Sequence, residues 1–149
     1  MTNQPDFTPN DLLKLENQLC FPVYALSRLI TKAYQPMLET LDATYPQYLV
    51  LLLLWEYEAL TVKELGEKLV LDSGTLTPLL KRMEQRGWLS RRRDPRDERS
   101  VIAALQPAGR ALQAQAQQIP AQLLEKLQLT PAELVLLRDQ LLQLVKVLI

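Results

Sequence analysis

Residues 60–105, "LTVKELGEKLVLDSGTLTPLLKRMEQRGWLSRRRDPRDERSVIAAL", change their hydrophobic period twice, and that change decides the fold. In the first part Val62, Leu65 and Leu69 stand at i, i+3 and i+7, one face of a short helix. Thr61 precedes them with Glu64 three residues on, a capping-box pattern that fixes the helix start. After a very short connection, Leu76, Leu79, Leu80 and Met83 form a second stripe; Gly74, Thr77, Pro78, Lys81, Arg82 and Gln85 share the opposite face. Gly87 stops this helix. Pro78 lacks a backbone donor, which predicts that it lies in the first turn and that regular helix starts near Thr77 rather than Ser73. The period then falls to two. Trp88–Arg92 and Ser100–Leu105 read as strands around a polar loop containing Asp94-Pro95, a hairpin with an arginine-rich tip.

Helix, tight turn, helix and basic hairpin is the winged helix-turn-helix order, in which the second helix enters a major groove and the hairpin reaches a neighbouring minor groove. Ser73, Thr75 and Thr77 at the small, polar end of the second helix suit base edges, and Lys81 and Arg82 further along suit base or phosphate contacts. Arg91, Arg93, Arg96 and Arg99 supply the hairpin. Charge supports this placement. Lys81 to Arg99 holds eight bases against four acids, so with a net charge of zero the rest of the chain stands at minus four. A basic patch on an acidic body suggests a polyanion partner at one place; an isolated charge run is more often a solvated loop, and the order of elements reverses those odds.

Composition closes off other classes. A 149-residue chain that is 48% hydrophobic and 23% charged can bury a sizeable core as one unit, and no linker or internal repeat divides it. With one cysteine and no histidine there is no intrachain disulfide, no Cys-His nucleophile pair and no ordinary zinc site; no cofactor or metal is expected. "MTNQPDFTPN" lacks the basic-then-apolar order of a signal peptide, and the longest apolar run, Leu49 to Trp55, is far short of the ~20 residues of a membrane span. A cytoplasmic protein without a membrane partner is expected.

The flanks read as long helices. "LLKLENQLCFPVYALSRLITKAYQPMLETL" is apolar at Leu19, Val23, Leu26, Ile30 and Ala33, and "PAGRALQAQAQQIPAQLLEKL" and "TPAELVLLRDQLLQLVKVLI" are two further helical stretches. The last is apolar around much of its circumference, more than its own domain can cover. The expected architecture is mainly α with a small β-hairpin wing: a winged helix-turn-helix region over 46–106, and helical dimerisation regions over 10–45 and 107–149, within a single chain of 1–149. The expected assembly is a homodimer.

These residues resemble a known family. "LDSGTLTPLLKRMEQRG" and "DERSV" are similar to the MarR family of dimeric bacterial transcription regulators. "LENQLCF", "TYPQYLVLLLLWE" and "LTVKELGEKLVLDSGTLTPLLKRMEQRG" are similar to its organic-hydroperoxide resistance regulator (OhrR) group. The resemblance implies a repressor that binds double-stranded operator DNA and is released when a reactive cysteine is oxidised by an organic hydroperoxide. It places that role on Cys20, puts Tyr34 and Tyr45 on the tyrosines that hydrogen-bond the sensor from the other subunit, and puts Arg99 on the wing arginine of the minor groove.

The residues themselves add to this. Tyr34 lies 14 residues after Cys20, ~21 Å along a continuous helix, so the two share a face without touching in one chain. Tyr24, four residues on, can reach the same thiol locally. Pro22 either kinks the first helix or starts it, and in the second case Cys20 lies just outside a helix N-terminus. Some members of the group carry a second, resolving cysteine. This chain has none, which predicts the one-cysteine type, resolved by a low-molecular-weight thiol or a backbone nitrogen, or oxidised further. Two alternatives stand beside this reading: a non-redox MarR-like regulator answering a small aromatic ligand, and a thiol peroxidase.

Overall fold

The computed structural model describes residues 7–149; the opening residues read for a leader lie largely outside the described residues. Seven helices and a three-stranded sheet are described: α1 (Cys20–Leu38), α2 (Tyr45–Tyr57), β1 (Ala59–Thr61), α3 (Val62–Leu69), α4 (Ser73–Gln85), β2 (Leu89–Asp94), β3 (Asp97–Leu105), α5 (Pro107–Ala116), α6 (Ile119–Leu127) and α7 (Pro131–Leu148). This is the expected mainly α chain with a wing. Among the described residues no helix is long and apolar enough to cross a membrane.

The centre is α2, whose run "LVLLLLW" is apolar on every side and therefore has to be surrounded. Thr44 and Gln47 close a capping box at its start, and Val50, Leu51 and Leu54 are fully buried. Leu65 of α3, Leu76, Leu80 and Met83 of α4, and Leu89 and Ala103 of the sheet complete one core around it. A smaller cluster of Leu38, Leu41, Tyr48, Ala116 and Ile119 joins α1 and α2 to α5 and α6. Trp55 ties α2 to α5 by donating its indole N–H to the Gly109 carbonyl at 3.0 Å. Gly109 has to be glycine, because a Cβ there would stand 2.2 Å from the Trp88 carbonyl oxygen.

Four features differ from the expectations. Helix α4 begins at Ser73, not Thr77, because the Asp72 carboxylate caps it, accepting from the Thr75 N–H at 2.8 Å; Pro78 therefore sits in the second turn and removes one interior bond. The hairpin strands run on to Asp94 and Asp97, and β1 adds a third strand in the order β1-β3-β2, with Leu60 opposite Ala103. The segment before Cys20, expected to be helical, forms two short 3-10 turns, Asp11–Leu13 and Leu15–Asn17. Finally, the stretch expected as one helix after Gln106 is two, α5 and α6, with Pro120 in the first turn of α6.

Pro22 resolves in favour of a start. It is the third residue of α1, where a missing N–H costs nothing because the first four amides of a helix have no internal partner. Cys20 is consequently the first residue of α1 rather than a residue outside it.

Candidate nucleic-acid interface and sensor cysteine

Helix α4 presents its polar face because its other face is fixed in the core by Leu76, Leu79, Leu80 and Met83. Ser73, Thr75, Thr77, Lys81 and Arg82 are all exposed on α4. Thr75 is already engaged, its hydroxyl donating to Asp72 at 3.0 Å; these two bonds from Thr75 hold the Asp72 carboxyl below its ordinary range. At the other end Gly87 takes a φ of +73°, a left-handed turn that suits glycine and sends the chain into β2.

The sheet sorts the arginines by a period of two. Leu89 points into the core, so Arg91 follows it on the inner side. There Glu84 holds it three times: the Arg91 backbone N–H, Nε and Nη2 donate to the carboxylate at 2.8, 3.1 and 2.9 Å. Those bonds draw the Glu84 carboxyl below its usual range. Arg91, expected among the DNA-facing cations, is bound to Glu84 in this chain with its side chain 25% exposed. Arg93 donates across the hairpin to the Glu98 carbonyl at 2.7 Å. Arg96 stands exposed in the turn. The Arg99 side chain is 96% exposed, its Nε 3.6 Å from Asp97. Arg92, left out of the expected set, is exposed on the outer side; the alternation counted from Leu89 would have found it.

Between α3, the start of α4 and the wing lies an open groove of about 780 Å³. Val62, Val70, Leu71, Leu80 and Val101 give it an apolar lining, and Arg99 stands at its edge.

The sensor candidates fall at opposite ends of α1. Cys20 is exposed, and its neighbours Leu19, Phe21 and Val23 are exposed as well. The Tyr24 hydroxyl accepts from Arg28 Nη1 at 3.4 Å, with the guanidinium 4.9 Å from its ring centre; among the described hydrogen bonds none joins it to Cys20. Tyr34 and Tyr45, from α1 and α2, are brought together with ring centres 4.7 Å apart. Tyr48, which the sequence reading missed although it shares the Tyr45 face three residues on, lies 5.9 Å from Tyr34. Burial pushes Tyr34 up to about 12, helped by its two tyrosine neighbours, and burial also raises Tyr45 and Tyr48. All three hydroxyls therefore keep their protons well past neutrality and remain donors.

Comparison with known proteins fits this geometry. The MarR family model matches residues 43–101, from the start of α2 into the wing. The organic hydroperoxide resistance transcriptional regulator of Bacillus subtilis (strain 168) is 60% identical over 114 residues, 76% of this chain and 78% of that protein. The chain belongs to the MarR family. Within that family it falls in the organic-hydroperoxide resistance regulator group, with one cysteine. AbfR of Staphylococcus epidermidis superposes with a TM-score of 0.76 at 39% identity, covering 93% of this chain and 96% of that one. A structure of overoxidised AbfR bound to DNA gives 0.76 at 38% identity, covering 95% and 100%. The winged helix is thus a MarR-family one.

Proposed function

We propose that this chain is a cytoplasmic transcriptional repressor that binds operator DNA as a homodimer and leaves it when Cys20 is oxidised by an organic hydroperoxide. The observation that carries the reading is the separation on α1. An exposed thiol with no hydrogen-bond partner among the described residues lies at one end, and tyrosines that keep their protons lie at the other. A two-fold partner laid along α1 would set the Cys20 of one chain against the Tyr34 and Tyr45 hydroxyls of the other. The apolar faces of α1 and α7, uncovered in one chain, supply the seam.

The chemistry follows from the donors. Hydroxyls aimed at sulfur favour the thiolate, which attacks the distal peroxide oxygen. The S–O bond forms as the O–O bond breaks, and the departing alkoxide takes a proton to leave as alcohol. Sulfur loses two electrons and becomes sulfenic acid. A low-molecular-weight thiol then attacks that sulfur and expels water, leaving a mixed disulfide. Leu19, Phe21 and Val23 favour apolar peroxides over hydrogen peroxide. The added bulk at the seam changes the spacing of the two α4 helices, which must sit about one duplex turn, ~34 Å, apart. A thiol peroxidase would instead turn over peroxide catalytically in excess thiol, and a sensor would not.

Operator release by cumene hydroperoxide with added cysteine, followed by gel shift for the parent and Cys20→Ser, tests this. The parent should be released and Cys20→Ser should stay bound; equal release from both ends the redox reading. A second reading rests on the groove beside α4, whose apolar lining and Arg99 edge suit a small aromatic acid. In that case DNA binding survives peroxide and yields to the ligand.

A further inference from the structure

Arg86 is one of the eight bases of the patch, yet it does not join the DNA-facing set. Its Nη2 donates to Asp42 Oδ2 at 2.6 Å, and its Nη1 donates to the Asp42 backbone carbonyl. The guanidinium carbon lies 3.9 Å from the centre of the Trp88 ring. These partners are 44 residues apart and belong to different corners of the fold. Arg86 ends α4, the reading helix, while Asp42 stands in the left-handed region (φ 50°, ψ 42°) at the joint between α1 and α2.

That joint is where the tyrosines meet. Tyr45 opens α2 three residues after Asp42, and both line one open groove of about 360 Å³ with Gln35, Leu38 and Glu39. On the other side, Gly87 turns the chain so that Trp88 comes back under the guanidinium, with its N–H on the Met83 carbonyl at 3.1 Å. Two donors on one residue and a stacked indole leave the guanidinium little freedom.

We propose that Arg86 is a positioning residue that transmits movement of the α1–α2 joint to the end of α4 through Asp42, and so sets how far oxidation shifts the reading helix. The Asp42 side chain is 89% exposed, and so open an ion pair adds little to stability. Helix α4 is held in the core by Leu76, Leu80 and Met83 whether or not the pair forms. What the pair adds is a fixed distance between the joint and the helix end. This inference rests on the redox reading of Cys20.

The test uses the full-length protein with Asp42→Asn, Arg86→Gln and both together. Asparagine tolerates the left-handed backbone, so Asp42→Asn removes charge and leaves the turn. Three quantities are measured: sulfenic acid formation by dimedone trapping, and operator Kd before and after cumene hydroperoxide with cysteine. Expected are parental trapping rates, reduced-state affinity within about threefold of the parent, and a fall of about tenfold or more in the oxidised-to-reduced Kd ratio. The double variant should be no worse than either single one, as members of one contact are not additive.

An unchanged ratio, even with both affinities lowered, would make the pair an ordinary surface contact and overturn the proposal. Additive losses would do the same. Should Arg86→Gln fail to fold by circular dichroism, Asp42→Asn decides alone. A parental ratio near one would instead mark failure of the redox reading itself, visible before any variant is compared.

Discussion

The winged region and the terminal helices are made from the same amino acid, leucine above all, and end in opposite states. Leu51, Leu54, Leu65, Leu76 and Leu80 are all at 0% exposure, whereas α7 buries none of its residues and leaves Val147 and Leu148 above 80%. The difference lies in what each apolar face meets. Around α2 the faces of α3, α4 and the sheet converge from within one chain; α1 packs its C-terminal end through Leu38 into the cluster with Tyr48 and Ile119 but leaves Phe21, Val23, Leu26 and Leu29 exposed, and among the described residues α7 buries none of its own. One region is closed within a single chain and the other is the seam proposed for the homodimer, so the same kind of substitution should have different consequences in the two places.

The largest contrast comes from one leucine in each region. Leu141→Arg on α7 should split the dimer, giving a particle near the 17.1 kDa chain mass in sedimentation velocity. Operator affinity should fall by a factor on the order of 100, because each particle then carries one reading helix. Leu80→Ala should remain a dimer and lose about 2–5 kcal/mol of stability in urea unfolding. A Leu141→Arg protein that sediments as a dimer would place the seam elsewhere.

A second contrast lies inside the wing. Arg99→Ala should weaken operator binding by about tenfold to a hundredfold and reduce the salt slope, as expected for an exposed groove-reaching arginine. Arg91→Ala should leave that slope alone and lower Tm, because its side chain is bound to Glu84. Anisotropy titrations across a salt series separate the two. Equal slopes for both variants would mean that the sorting of arginines by strand face is wrong.

What was legible in the sequence follows the same division. The stripes of α3 and α4, the Thr61–Glu64 cap and the Gly87 stop are local, and local patterns were enough to order the winged region. The fate of Arg86 was not legible, because its partner Asp42 is 44 residues away and only the fold brings them together. Strand β1 was missed for the same reason: three residues, Ala59–Thr61, have no period of their own and exist by pairing with β3. Pro78 was weighed correctly as a lost donor, but the cap from Asp72 outweighed it and drew the helix back to Ser73. Apolar spacing before Cys20 suggested helix, yet no buried surface supports one there. The opposite placement of Cys20 and Tyr34 on α1 was visible from spacing alone, whereas Tyr48 needed the packed cluster to be noticed.

The tyrosine cluster sharpens the contrast at its boundary, since it is packed within one chain and proposed to act on another. Tyr34→Phe and Tyr45→Phe should each slow oxidation of Cys20 by about tenfold, the order of one hydrogen bond to a charged group, without changing reduced-state DNA binding. Tyr34 also marks an alkaline window. Its native value of about 12 lies above the ordinary 10, so the unfolded chain ionises first. The stability it contributes is complete below pH 10 and is lost as pH rises toward 12. Absorbance at 295 nm should show a late transition in the parent whose amplitude falls by one tyrosine in Tyr34→Phe, the raised Tyr45 and Tyr48 supplying the remainder. A parental rate in both Phe variants would remove the tyrosines from the sensor.

The smallest effect uses a device that both regions share. Thr61 with Glu64 starts α3, and Thr130 with Glu133 starts α7, each a reciprocal box in which the carboxylate accepts from the threonine N–H, at 2.7 and 2.8 Å. Those bonds hold both glutamates below their ordinary range. Either Thr→Ala change should cost about 1 kcal/mol. In α3 the loss falls on a fold closed within one chain and should be the same at every protein concentration. In α7 it falls on the seam, raising the dimer dissociation constant by about fivefold per subunit, and should fade as concentration rises. Both penalties should shrink in acid: a depressed carboxylate stabilises fully above its ordinary value near ~4.3 and loses that contribution as pH falls through its native one. If the two variants show the same concentration dependence, the winged region and the terminal helices unfold as one unit, and the contrast between a closed core and an open seam does not hold.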